Sequence, residues 1–119
     1  MTPIEIKAFL SEVYEQVKHL HHITTSYAQH KALGAFYEEW DGLTDDFIET
    51  YQGRYSRIEG EYKVNVASNI SAGLYLESVS GFLHRDLITF VPVGDIDLAN
   101  IVADMMALTN KTLYLLSLK

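Results

Sequence analysis

HKALGAFYEEWDGLTDDFIE, residues 30–49, separates into two faces when read at helical spacing. Leu33, Phe36, Trp40, Leu43 and Phe47 recur at intervals of three and four and form one apolar stripe. His30, Asp41, Asp45 and Glu49 fall roughly 80 to 180° away from Trp40, on a polar flank. Between Lys31 and Arg54 there are six acids and no Lys or Arg. Asp41, Asp45 and Glu49 follow one another at i, i+4, i+8, so like charges stack, at roughly 0.2–0.5 kcal/mol per pair in an isolated helix. Something cationic is expected to offset them, and a metal ion is one candidate.

Working outward, the same periodicity recurs on both sides. Upstream, Thr2, Pro3 and Glu5 supply an N-cap, a first-turn proline and capping-box spacing. Ile6, Phe9, Leu10, Val13, Tyr14, Val17 and Leu20 then predict a first helix running to about His22. The β-branched run Ile23-Thr24-Thr25 interrupts it. Ser26 with Gln29 repeats the capping-box spacing and starts the second helix, which is expected to end near Gly53. Downstream, residues 54–65 are weakly patterned and fit either a short helix or an ordered loop. A third helix is expected from about Ala67 to Phe90, with Ile70, Leu74, Val79, Phe82, Leu83 and Leu87 on its apolar face and Glu77 among them either hydrogen-bonded or paired, or serving a metal. VPVG at 91–94 stops it, and Asp95 or Asp97 caps a fourth helix with the stripe Ile101, Met105, Leu108, Thr112 and Leu115. Four amphipathic helices in one chain of 119 residues predict an all-α four-helix bundle forming a single domain over residues 1–119.

Composition narrows the function. A net charge of −7 and the lack of clustered Lys and Arg argue against DNA as a partner. The absence of cysteine excludes thiolate metal sites, thiol catalysis and disulfides. No apolar run reaches membrane-span length and the first residues lack a signal-peptide core, so no membrane partner and a cytoplasmic location are expected.

The histidines and acids of the first two helices resemble those of Dps-type mini-ferritins, within the ferritin-like superfamily. That family carries a His at the end of the first helix and a second His at the start of the second. An acid follows four residues on, and later comes Asp-x-x-x-Glu. Here His19 lies eleven residues before His30, with His22 a less well placed substitute; His30 precedes Asp45 by fifteen, and Asp45 and Glu49 keep the family spacing. The last helix, with its acidic start, Lys111 and Tyr114, is similar to the family's closing helix. The pattern departs at Gly34, where the family has the acid, and at Leu20, where it has Trp. The resemblance implies a homo-oligomer that binds and oxidises iron at a subunit interface. His19 and His30 would come from one chain and Asp45 and Glu49 from its two-fold mate. Imidazole and carboxylate together suit iron. The other reading is a ferritin-like helical binding or assembly module without the metal, which Gly34 favours. His19, His21 and His22 near a helix C-terminus also fit an interaction with its dipole, and His84 receives no function.

Overall fold

A computed structural model describes residues 1–118. It is all-α, with no strand among those residues. Helix α1 (Pro3–Ile23) packs against α2 (Tyr27–Arg54); an irregular segment then leads to α3 (Ala72–Phe82). The helical backbone continues through a π-helical stretch (Leu83–Leu87) and a short turn (Ile88–Phe90), and α4 (Ile96–Ser117) closes the bundle. No helix of the described residues is long and apolar enough to cross a membrane.

The helix starts follow from local chemistry. The Thr2 hydroxyl accepts from the Glu5 N–H while the Glu5 carboxylate accepts from the Thr2 N–H, completing the box read from the sequence. At α2 only half of the expected box forms. The Ser26 hydroxyl accepts from the Gln29 N–H, but the Gln29 side chain turns to the Thr24 hydroxyl, which itself accepts from the Ser26 N–H. Thr24 thus does the work expected of Gln29. Of the two acids offered for α4, Asp95 is the cap, accepting from the Leu98 N–H.

The core draws on all four helices, closest to expectation on α1 and α2. Leu10, Val13 and Val17 of α1, Leu33, Phe36, Trp40 and Phe47 of α2, Leu76, Val79, Leu83 and Leu87 of the third element, and Leu98, Val102 and Met105 of α4 are fully buried. Each such side chain contributes about 1.5–3 kcal/mol of transfer free energy. Trp40 also donates its indole N–H to the Leu10 carbonyl at 3.0 Å, tying α2 to α1 in the middle of the bundle. On α4 Met105, Leu108 and Thr112 of the expected stripe are buried, but Ile101 and Leu115 are only half-buried, and Leu98, Val102 and Thr109 are buried instead. The two threonines pay no desolvation penalty, because their hydroxyls bond the Met105 and Leu108 carbonyls one turn back.

The third element differs most from its expectation. It begins at Ala72, capped by Ser71, rather than at Ala67. The Gln16 side chain holds both backbone groups of Ala67 and keeps that residue out of a helix: the Ala67 N–H donates to Gln16 Oε1 and the Ala67 carbonyl accepts from Gln16 Nε2, both at 2.8 Å. Leu74, expected inside, is 68% exposed, and Glu77 is exposed rather than paired. The π-helical stretch spans Leu83 and Leu87, and both enter the core as expected.

Chain direction follows from contacts. Segment 55–71 runs alongside α1 in the same sense: a side chain at Gly60 would touch Ile4, Asn65 bonds Glu12, Ala67 bonds Gln16, and Ser68 bonds His19. α3 then descends antiparallel to α1, with Phe82 stacked on Phe9 at 3.9 Å. Tyr55 and Arg54, at the foot of α2, meet Asp95 at the start of α4. The helices therefore run up, down, down, up, with one long crossover joining α2 to α3.

Candidate functional site

The sequence-predicted ligands occupy three separate places. His19 Nε2 lies 2.9 Å from the Ser68 hydroxyl, on the side of α1 covered by the crossover. His30 instead meets His21. Their rings stack with centroids 3.9 Å apart and planes 16° from parallel. His21 Nδ1 lies 2.6 Å from the His30 carbonyl, and His30 Nδ1 lies 2.9 Å from the His21 carbonyl. A carbonyl only accepts, so each Nδ1 carries a proton, and in the neutral ring Nε2 then keeps its lone pair. His19 and His21 are two residues apart, about 200° on the helical wheel, so His19 faces away from the His21–His30 pair. The expected grouping of His19 with His30 within one chain does not form.

Gly34 explains this arrangement. A Cβ built there would lie 2.9 Å from His21 Cε1 and 3.1 Å from His21 Nδ1. Only a residue without a side chain lets the His21 ring lie on α2 and reach the His30 carbonyl. The His21 carbonyl belongs to the last turn of α1, where helical partners run out, and the His30 imidazole supplies the missing donor. The position where the resembled family carries an acid is thus given over to an imidazole. The sequence reading placed His21 with the helix dipole and missed this clamp; the signal for it was a glycine inside a helix one turn after a histidine. Tyr37 packs edge-on against His21, and Tyr14 edge-on against Tyr37, extending the contact along the α1–α2 seam.

Asp45 and Glu49 lie elsewhere. Fifteen residues separate His30 from Asp45, about 22 Å along α2, so one ion cannot be shared between them within a chain. Both acids are exposed and, with Asp41 and Thr44, form one wall of a groove of about 480 Å³. Lys7, Ser11, Tyr14 and Glu15 of α1 form its floor, and Tyr62 and Val64 of the crossover its other wall. The groove therefore carries four carboxylates and one ammonium. The cation that lines the groove with the acids is Lys7, but among the described residues the only ion pair within 4.0 Å is Arg54–Asp95, so the groove acids stay unpaired. No group of three or more His, Asp or Glu among those residues is disposed to hold a metal ion.

The crossover is held by side chains that the sequence reading did not single out. Glu12 accepts from the Asn65 N–H at 2.8 Å, and Gln16 makes its two bonds to Ala67. Beside them the Tyr75 hydroxyl is buried without a hydrogen-bond partner; burial, and secondarily the Glu12 charge, push the phenol well above its ordinary range.

Residues 19–116 match a family of unknown function, DUF5856. No curated protein and no solved structure matches the chain.

Proposed function

The chain belongs to the DUF5856 family, and from that premise we propose that it is a ferritin-like helical module that works by association, holding a partner in the groove between α1 and α2, without an iron-oxidising centre of its own. The up-down-down-up order with a single long crossover supports the ferritin-like reading. The observation that carries the loss of the metal is the His21 ring seated against Gly34: it fills the place of the acid, while the His21 carbonyl takes the Nδ1–H of His30. The unpaired acids of the groove carry the association half. Duplex DNA is not among the partners this reading admits, since the groove repels phosphate.

One observation favours a second reading, in which iron lies between two copies. A carbonyl-bound Nδ1 leaves His30 Nε2 as a free ligand nitrogen, and the exposed Asp45 and Glu49 could meet it from a two-fold mate in a homo-oligomer. Oxygen uptake on adding Fe(II) separates the two. The association reading expects no uptake above buffer and no effect of Glu49→Gln. Uptake abolished by Glu49→Gln, with iron retained by a dimer on sizing, would establish the second reading and overturn the first.

A further inference from the structure

The outer face of α4 has no helix packed on it. The side of α4 turned to the core carries Leu98, Val102, Met105, Thr109 and Thr112. Roughly 150° from these on the helical wheel stand Ile96, Asn100, Ala103, Ala107, Asn110 and Tyr114, all exposed. They follow one another at alternating intervals of four and three, the spacing that keeps one seam of a helix facing a second helix along its length. Ile96 at one end of the seam is 68% exposed, and Tyr114 and Leu118 at the other are 63 and 52% exposed.

The charges on this face are arranged about its centre. Asp97, Asp104 and Lys111 are the charged residues of α4. Asp104 and Lys111 are exposed and flank the seam on the side of α2, beside Glu39 and Leu43, with Ala107 between them. Seven residues separate the two, about 10 Å along the axis, so they do not reach each other. Among the described residues neither they nor Glu39 makes an ion pair within 4.0 Å. A second α4 laid antiparallel, with a two-fold axis at Ala107, brings each Lys111 to the Asp104 of the other copy. The same register sets Ile96 on Leu118 and Asn100 on Tyr114 of the mate, because each of these pairs is centred on residue 107. A parallel pair would send the charged flanks to opposite sides and leave both charges without partners.

We infer that the outer face of α4 is a self-association surface, on which a second copy docks antiparallel about a two-fold axis at Ala107. Such a contact uses one patch twice, so the patch must complement itself across the axis, as Asp104 and Lys111 do. The charges fix register and direction. One helix per copy, about 33 Å long, makes a small interface, so the dimer is reversible and concentration-dependent rather than obligate. The surface is separate from the α1–α2 groove. Leu43 faces α4 and Asp41 lines the groove, about 200° apart on α2, so the groove stays open in the dimer.

Sedimentation velocity on the full chain, with chelator present, tests this between about 10 and 500 μM. Wild type should pass from monomer to dimer over that range. Asp104→Lys and Lys111→Asp each set like charges across the axis, and each should weaken dimerisation about tenfold or more. Mixed in equal amounts, the two variants should pair with each other, since one supplies both lysines and the other both aspartates. The double variant Asp104→Lys/Lys111→Asp keeps the net charge of wild type and should dimerise as wild type does. Both positions are exposed, and circular dichroism with Tm checks that every variant folds. A wild type that stays monomeric to about 500 μM would overturn the inference. So would single variants that dimerise as wild type does, or a dimer lost in both single variants and regained neither in their mixture nor in the double variant.

Discussion

The two ends of the α1–α2 pair treat their polar groups in opposite ways. At the turn, His21 and His30 satisfy each other: two imidazoles, two carbonyls, and a glycine that makes room. At the groove, Asp41, Asp45 and Glu49 stand exposed with no ion pair among the described residues. The closed end holds the structure, and its residues look like ligands only when read one at a time. The open end leaves its charges without an ion pair among the described residues, and the proposed association rests on them. Trp40 lies between the two and belongs to neither. Trp40→Ala should cost about 3–5 kcal/mol, read by urea denaturation, because it empties the centre of the core and removes the indole bond to the Leu10 carbonyl. A much smaller loss would mean that the two ends do not share one core.

The clamp itself can be broken from either side. Gly34→Ala should destabilise by about 1–3 kcal/mol, since its Cβ would meet the His21 ring at 2.9 Å. In a His21→Ala background the obstacle is gone, and the same change should stabilise by about 0.8–1 kcal/mol through helix propensity. That reversal of sign, measured as a double-mutant cycle, is the signature of the clamp; equal effects in both backgrounds would refute it.

Asp95 sharpens the contrast with Asp45, because it is an acid that the fold does satisfy. It is 3% exposed, and the Tyr55 hydroxyl donates to it at 2.6 Å. That bond, then the Leu98 N–H and the Arg54 guanidinium, hold its carboxyl below the usual range, while the carboxylate in turn raises the Tyr55 phenol. A depressed carboxyl stabilises the fold above its unfolded value, about 3.9, and that contribution is lost as pH falls through the folded value; a raised phenol stabilises below about 10 and is lost as pH rises through its folded value. Tyr55→Phe should therefore lower Tm most between about pH 4 and pH 10, with the gap to wild type closing outside that window. A gap independent of pH would sink the assignment.

What was legible in the sequence was what local rules determine. Thr2 with Glu5, and Leu33 through Phe47, need only their own helix to be read correctly. The four helices and the outward face of Asp45 and Glu49 follow from the same periodicity. What escaped depended on partners distant in sequence. Ile70 and Leu74 fit a helical stripe, yet Gln16, fifty-one residues before Ala67, takes the backbone that would have begun that helix. His21 and His30 are nine residues apart, and nothing in their spacing tells a ligand pair from a mutual clamp. Gly34 was visible as a departure, but its cause was a ring from another helix.

The smallest effect belongs to the open end, and its sign carries the information. If the groove acids were part of the structure, neutralising one would destabilise the fold. Their exposure and the i, i+4 stacking of Asp41, Asp45 and Glu49 point the other way. Asp45→Asn removes a like-charge neighbour on both sides, and should stabilise by roughly 0.2–0.5 kcal/mol per relieved pair at low salt. Lys7 on the groove floor opposes that gain only weakly, since it makes no ion pair within 4.0 Å. Salt screens exposed charges over about 10 Å at 0.1 M, so the stabilisation should fade as ionic strength rises to about 0.5 M. Urea denaturation of wild type and Asp45→Asn at both ionic strengths measures this. A destabilised Asp45→Asn at low salt would mean that the groove carboxylate already has a partner inside the chain, and the contrast between the two ends would fail.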